Sequence, residues 1–507
     1  MAVLYNANLP QVAYSAQQVQ KNESIIAKKM GVDMYQLMQR AGKSVFSVLW
    51  DRFNNVNDIL ILAGKGNNGG DGYIVAKSAI ENNLSVKVFS ICEPNALKGD
   101  ALRAYTDFVK AGGVLETNLS FDACDLIIDA LLGTGFSGEL SEEIQNITQH
   151  ANSSYKPIIS IDVPSGVNAT TGYISEHAIC ANTTVTFIGL KQALLSGIAT
   201  NYVGKLFFSG LGISDEFEKR VDSNTHYLSQ ASLLSHKLIR KKASYKNQHG
   251  HVLVIGGDKG MAGAVRLAGE ACLRSGAGLV SIATHIDNVS SVLNGRYELM
   301  VHGIQDDTHL IPLIEKSAVI VIGPGMGQSS WSKMLWQTLL IYSEKVKIID
   351  ADGLNFLANN SVNLKNCVLT PHVGEASRLL QCTNQDIEFN RFDAVRKISE
   401  RYQSTVVLKG PGSLVCNDEK ININCSGTAA MASAGMGDVL SGIIGGLVAQ
   451  KMPELTIDNS IKLQNIIFEM TCLGVFIHGQ AAQDASVNGI NGLLASDLFP
   501  HIRRLVG

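Results

Sequence analysis

Ser433-Ala434-Gly435-Met436-Gly437-Asp438-Val439-Leu440-Ser441-Gly442 decides how this chain is read. Small residues run into an apolar segment, Val439 to Leu447, of helical character. Backbone N–H groups at a helix N-terminus are unpaired and partly positive, so they can hold a phosphate. A carboxylate at Asp438 would repel that phosphate, which suits it to act as a base beside the anion rather than as its ligand. A capped core helix with glycines for close packing explains the same residues. The stretch alone leaves both readings open.

Its neighbours upstream bear on the choice. Apolar runs at His251–Gly257, Leu279–Ala283, Ala318–Ile322, Val346–Asp350, Cys367–Thr370 and Thr405–Lys409 alternate with helix-compatible segments such as Gly263–Ser275. That alternation predicts a parallel sheet covered on both faces, with ligands beyond the carboxyl ends of the strands. Four such ends are polar or glycine-rich: GPGMG (323–327), DADGLN (350–355), TPHVGE (370–375) and KGPGS (409–413). His372 reads either as a packed histidine or as a ligand contact. Glu375 reads as a helix cap or as an oxygen that reaches magnesium through water. Near the end, Asn491–Leu498 reads as a turn into a short helix.

The first half repeats the alternation without being an internal repeat. Strands are expected at Asp58–Ala63, Val86–Ser90, Asp125–Leu131, Ile158–Val163, Thr183–Ile188 and Leu206–Ser209. Helices are expected at Tyr14–Leu49, Tyr73–Glu81, Leu97–Lys110 and Ser141–His150. Three strand ends are again glycine-rich: Gly64–Gly72, Asp129 with Gly133–Glu139, and DVPSG (162–166). The first is neither GxGxxG nor a Walker loop, yet its glycines allow close backbone approach to a phosphate. Asn68, Asp129 and Ser165 offer hard oxygens with a single carboxylate, a set suited to a weakly charged cation. Asp129 as a simple turn cap is the competing reading. Lys191 either reaches the same crevice or is a solvated strand-end lysine.

At 507 residues the chain is too long for one core, and 46% hydrophobic with 17% charged residues describes a globular protein. Phe217–Asn247 has no strong strand pattern, and the basic run from His236 to His251 reads as a solvated connector. A net charge of -3 gives no drive toward nucleic acid. Nine scattered cysteines with no CxxC pair argue against disulfides and zinc and for a reducing compartment. Met1–Gln20 has no secretory pattern and no apolar run reaches membrane-spanning length, so the cytoplasm, without membrane attachment, is the expected address.

Two resemblances follow from these motifs. GNNGGDG (66–72), the Asp129–Glu139 loop, DVPSG and FIGLK (187–191) resemble the NAD(P)H-hydrate epimerase family over most of the first half. The resemblance implies a Rossmann-like domain, placed at residues 1–220, that binds hydrated nicotinamide nucleotides (NADHX and NADPHX). It implies substrate contacts from Asn67, Asn68, Gly69, Gly70 and Asp71, and from Gly133, Thr134, Gly135, Phe136, Ser137, Gly138 and Glu139. Asp162 would contact substrate and transfer the proton, and Asn68, Asp129 and Ser165 would hold potassium. Gln39 departs from the family's Glu at a scaffold position.

GPGMG, DADGLN, TPHVGE, KGPGS, GMGD (435–438) and LLASDL (493–498) occur in the order of the ADP/ATP-dependent NAD(P)H-hydrate dehydratases of the ribokinase-like superfamily. This resemblance implies a second three-layer α/β domain at 221–507. Lys409, Gly410, Pro411, Gly412, Ser413 and Gly437 would contact ADP, with magnesium. Gly263, Ala264, Gly325, His372 and Asp438 would face the hydrated ring, and Asp438 would be the base. Met436 replaces the family's Thr and Val373 its Pro. Together the halves imply a homo-oligomer, a tetramer or larger, that epimerises the hydrated cofactor and dehydrates its S form with ADP. A ribokinase-type small-molecule kinase that stops at the phosphorylated product is one rival; a nucleotide-binding module without turnover is the other.

Overall fold

The computed structural model describes residues 5–6, 8–229, 238–359, 364–454 and 460–507. The chain divides into two compact units, Met1–Tyr227 and Leu228–Gly507. The first contains a six-stranded parallel sheet built from β1 (Asp58–Ala63), β2 (Ser85–Ser90), β3 (Leu126–Ala130), β4 (Ile158–Ile161), β5 (Thr183–Phe187) and β6 (Lys205–Ser209), in the order β2-β1-β3-β4-β5-β6. Successive side chains of a strand face opposite sides. Ile59 and Ile61 therefore join the core under the helices Met34–Arg52 and Asn67–Glu81, while Leu60 and Leu62 join the core against Glu142–Ser153. Burial on both faces is why β1 reads as a continuous apolar run after Asp58.

Two expectations for this unit are corrected. The long helix Tyr14–Leu49 is two helices, Ala16–Lys29 and Met34–Arg52. Gly31 adopts φ 71° between them, and Asp33 caps the second through the Gln36 N–H. Tyr14 belongs instead to a short strand, Val12–Tyr14, which pairs with Leu190–Lys191 and with Thr225–Tyr227. The last pairing places a strand where none was expected. The second correction is the Gly64–Gly72 segment, which is helical from Asn67 onward.

The second unit carries β7 (His251–Ile255), β8 (Leu279–His285), β9 (Met300–Ile304), β10 (Val319–Ile322), β11 (Val346–Ile349), β12 (Cys367–Leu369), β13 (Thr405–Leu408), β14 (Ser413–Cys416) and β15 (Ile421–Asn424). Their order is β9-β8-β7-β10-β11-β12-β13-β14-β15, parallel as far as β13 and antiparallel beyond it. β9, β14 and β15 were not anticipated: they are short and lie toward the ends of this order, where the apolar signal is weakest. The helix Met436–Lys451 packs on Ala262–Arg274 and on β10. A Cβ at Gly442 would lie 2.2 Å from the Ala268 carbonyl oxygen, one at Gly446 2.1 Å from Ser275 Oγ, and one at Gly445 2.6 Å from Val321. These glycines serve close packing. After Asn491 the chain enters a short 3-10 turn, Ala495–Leu498, and then the helix Phe499–Val506. The start of the basic connector, residues 236–237, lies outside the described residues.

Candidate active sites

In the first unit, the carboxyl ends of β1, β3, β4 and β5 open into a cavity of about 830 Å³. Its wall includes Asn67, Asn68 and Asp71, the loop residues Gly133–Ser137 and Glu139, and Asp162 and Lys191. Gly69, Gly70 and Gly138 are not part of that wall. Gly69 and Gly70 are buried in the helix start, where a Cβ would lie 1.9 Å from the Gly64 carbonyl oxygen and 2.6 Å from Met38 Cε respectively. They let the helix approach the strand and hold Asn68 and Asp71 at the cavity.

Asp162 follows β4 in a left-handed conformation, φ 63°, which side-chain-bearing residues adopt only where their surroundings enforce it. Its Oδ1 accepts from Thr186 Oγ1 at 3.0 Å, the Phe187 N–H at 3.3 Å and Lys191 Nζ at 2.5 Å. Lys191 also donates to the Phe187 carbonyl at 2.8 Å and is 1% exposed, so it is a buried partner and not a solvated lysine. Asp71 faces the same cavity and is pushed well above the usual carboxylate range by burial, with the Asp162 charge adding to it. Glu23, from the helix Ala16–Lys29, is likewise raised by burial to about 7, with Lys191 opposing and Asp162 reinforcing the shift.

Asp129, at the end of β3, is fully buried. It accepts from Ser165 Oγ at 2.5 Å, the Ser165 N–H at 2.8 Å, Ser160 Oγ at 2.8 Å and the Leu131 N–H at 3.3 Å. Burial raises it, these hydrogen bonds oppose the rise, and no cation pairs with it among the described residues. Asn68 Nδ2 donates to the Leu132 carbonyl at 2.9 Å, and the Leu132 N–H donates to Ser165 Oγ at 2.9 Å. Asn68, Asp129 and Ser165 are thus tied through one short loop. Glu139 is exposed, with its carboxylate held low by the hydroxyls of Ser175 and Tyr173.

In the second unit, the ends of β7, β10, β11, β12 and β13 supply the candidate residues. Gly435, at φ 86°, precedes the helix Met436–Lys451, and Asp438 lies in its first turn. Burial and the Asp350 charge raise Asp438 to about 7, against Lys409. Lys409 Nζ donates to Asp350 Oδ1 at 2.9 Å and lies 3.6 Å from Glu375 Oε2. Burial alone would lower this lysine; the carboxylates of Asp350 and Glu375 outweigh it and hold the ammonium above its ordinary value. A Cβ at Gly437 would lie 3.4 Å from Lys409 Nζ and 3.6 Å from Asp350 Oδ2, so the helix start rests directly on this ion pair.

His372 caps the helix Val373–Leu380: its Nδ1 accepts from the Gly374 N–H at 3.0 Å, and Glu375 Oε2 accepts from the His372 N–H at 2.8 Å. Burial depresses its pKa. Glu375 is therefore both a cap and a neighbour of Lys409. Gly325 and Ala264 meet, with a Cβ at Gly325 2.9 Å from Ala264 Cβ, and Gly263 faces open space. Gly410, Pro411, Gly412 and Ser413 form the β13–β14 turn directly after Lys409, closed by Ser413 Oγ donating to the Gly410 carbonyl at 2.8 Å.

Glu23, Asp350 and His478 were missed. Glu23 is one of several polar residues on an amphipathic helix, and nothing in sequence separates it from the solvated face. Asp350 opens the DADGLN motif, and its place at a strand end was the available signal. His478 is 6% exposed, lies against the Met436 backbone and is depressed by burial to about 4; its neighbours are distant in sequence.

A family model described as NAD(P)H-hydrate dehydratase matches residues 252–504, and one described as YjeF-related protein N-terminus matches residues 34–193. The chain is 40% identical over 501 residues to the bifunctional NAD(P)H-hydrate repair enzyme Nnr of Coxiella burnetii, covering 98% of this chain and 99% of that one. It is 39% identical to the enzyme of the same name from Escherichia coli, over 98% and 95% of the two chains. A crystal structure of a ribokinase-like superfamily protein from Enterococcus faecalis superposes with a TM-score of 0.51 at 26% identity, covering 56% of this chain and 96% of that one. With the match running nearly end to end, this chain belongs to the family of bifunctional NAD(P)H-hydrate repair enzymes.

Proposed function

We propose that the protein restores hydrated NADH and NADPH, the first unit interconverting the R and S forms and the second dehydrating the S form with ADP to yield NAD(P)H, AMP and phosphate. The observation that carries this reading is Asp438 in the first turn of a helix whose N-terminus rests on the Lys409–Asp350 pair. A base sits there beside a site for phosphate. Asp438 takes the proton of the ring hydroxyl as that oxygen attacks the β-phosphorus of ADP. The helix-start N–H groups and Lys409 stabilise charge on the transferring group. The phosphate ester then leaves as the ring nitrogen donates its electron pair, and loss of a proton from the ring carbon next to the one that bore the hydroxyl restores the C=C bond of NAD(P)H. Gly263, Ala264, Gly325 and His372 border the ring, while Lys409–Ser413 and Gly437 border the nucleotide.

In the first unit Asp162 handles the substrate proton, with Asn67–Asp71 and Gly133–Glu139 as the substrate-binding segments. The residues fit a potassium ion: Asp129 is a buried carboxylate lacking a cationic partner among the described residues, joined by neutral oxygens of Asn68 and Ser165. Potassium there supplies the missing counter-charge. In the second unit, the hard oxygens of Glu375 and Asp350 fit a magnesium ion that arrives on the ADP phosphates and keeps its waters. No group of three or more His, Cys, Asp or Glu forms a metal cage among the described residues. Residues 1–220 and 221–507 are taken as the epimerase and dehydratase domains of a cytoplasmic homo-oligomer. No described helix is long and apolar enough to cross a membrane.

The test is recovery of the reduced-nicotinamide absorbance from a mixture of both NADHX epimers, with magnesium, potassium and either ADP or ATP. Complete recovery with ADP supports both activities. Recovery that stops once the S form is consumed removes the epimerase reading, and accumulation of a phosphorylated product favours a kinase.

A further inference from the structure

We infer that Glu23, together with Asp71, is the proton donor of the first site, and that epimerisation proceeds by loss and re-addition of water at the ring carbon bearing the hydroxyl. The inference rests on the epimerase reading and specifies its chemistry. Glu23, Asp71, Asp162 and Lys191 reach one cavity from separate segments of the chain. Lys65, Cys92, Asp100, Glu139 and Glu143 complete its titratable lining, with Lys65, Glu139 and Glu143 at the exposed rim.

Of the four half-buried carboxyl groups, Glu23, Asp71 and Asp162 act on one another electrostatically and share one ammonium, that of Lys191. That ammonium is committed, because Lys191 is sealed against Asp162 and the Phe187 carbonyl. All three side-chain or backbone donors to Asp162 converge on Oδ1, and one of them is the Lys191 ammonium, which makes Asp162 the proton acceptor of the set. Like charges in a poorly solvated cavity cannot all ionise, so the Glu23–Asp71 side retains a proton at neutral pH. The shifts of both residues run in that direction. The site thus presents an acid and a base together, the arrangement that two-step proton chemistry needs.

The carbon to be inverted carries a hydroxyl and is bonded to the ring nitrogen. The Glu23 carboxyl gives its proton to the hydroxyl oxygen, the C–O bond breaks and water departs. The nitrogen lone pair forms a C=N bond, leaving a cationic ring. A cavity rich in carboxylates and poor in free cations stabilises that cation. Water then adds from the other face and passes a proton to Asp162. One water leaves and one enters, protons re-equilibrate between the carboxyl groups, and no electrons are gained or lost.

The experiment starts from single-epimer NADHX in water enriched in oxygen-18, without ADP, with the spontaneous rate subtracted and the product epimers separated for mass analysis. The wild-type protein should place one heavy oxygen in each inverted molecule. Its epimerase kcat/KM should be level at low pH and fall as pH rises through about 7, as Glu23 loses its proton. Glu23→Gln should lower inversion and labelling together by about 100-fold or more, while ADP-dependent dehydration of the S form, the check that the protein is folded, stays unchanged. Glu23→Asp should restore part of the rate and the alkaline decline. Inversion without heavy oxygen overturns the water-loss step, and a Glu23→Gln protein at wild-type rate overturns the donor. A wild-type protein that inverts nothing overturns the epimerase reading itself.

Discussion

The two units place their candidate sites at the same point of similar architectures, the carboxyl ends of parallel strands, and each sets three carboxyl groups against one ammonium, but they differ in how open that ammonium is. In the first, Glu23, Asp71 and Asp162 outnumber the buried Lys191. In the second, Lys409 and a helix N-terminus face Asp350, Glu375 and Asp438, and Lys409 is 21% exposed where Lys191 is 1% exposed, so its ammonium is open to a ligand. The fold fixes where a ligand binds; a few side chains fix whether the site welcomes a cation-like ring or a phosphate. That is why one α/β plan, used twice in one chain, can hold two different reactions.

The comparison can be broken by variants that act on one site only. Asp438→Asn should lower ADP-dependent dehydration by about 10²–10⁴-fold and leave epimerisation untouched; unchanged dehydration removes Asp438 as base. Asp162→Asn should do the reverse, with epimerisation down by at least about 10²-fold, read as R-to-S conversion by chromatography. Lys409→Met should cost dehydration about 10²-fold, because it removes a half-buried ammonium beside the proposed phosphate site and leaves the buried Asp350 without its cation. Its epimerase rate serves as the internal control.

The smaller effects sharpen the contrast. Asp438 is raised by burial to about 7, so dehydratase kcat/KM should climb as pH rises through that value and level off above it, as the base becomes ionised. The epimerase profile should fall over the same range, and parallel profiles would show that the two sites do not differ as described. Met436→Thr should change dehydration by less than about threefold, because the backbone N–H groups at a helix start bind anions without the side chain. Met436 is itself buried, so thermal melting belongs beside that assay.

Much of the fold was legible because its strands are buried on both faces. β10 is an uninterrupted apolar run and β1 is one after Asp58, and their boundaries follow the pattern closely. The short strands β9, β14 and β15 lack that signal. The helix break at Gly31 was masked by apolar spacing that continues across it. Asn67–Gly72 was misread because three glycines resemble a loop, although Gly69 and Gly70 are helical residues chosen for contact with Gly64 and Met38. In Ser433–Gly442 the close-packing reading holds at one end of the stretch. Gly442 packs against Ala268, while Gly435 and Gly437 shape the helix start at the site.

The sequence by itself determined the two α/β units and the glycine-rich strand ends at which the candidate sites lie, and it singled out Asp162 and Asp438 as their candidate carboxylates, since periodicity and motif order are local properties of the chain. Only the tertiary structure decided that Lys191 is buried against Asp162, that Lys409 is paired with Asp350, and that Glu23 shares a cavity with Asp162 and Lys191, more than a hundred positions away. Burial and charge pairing depend on which segments meet in space, and those meetings set the protonation states from which the chemistry follows.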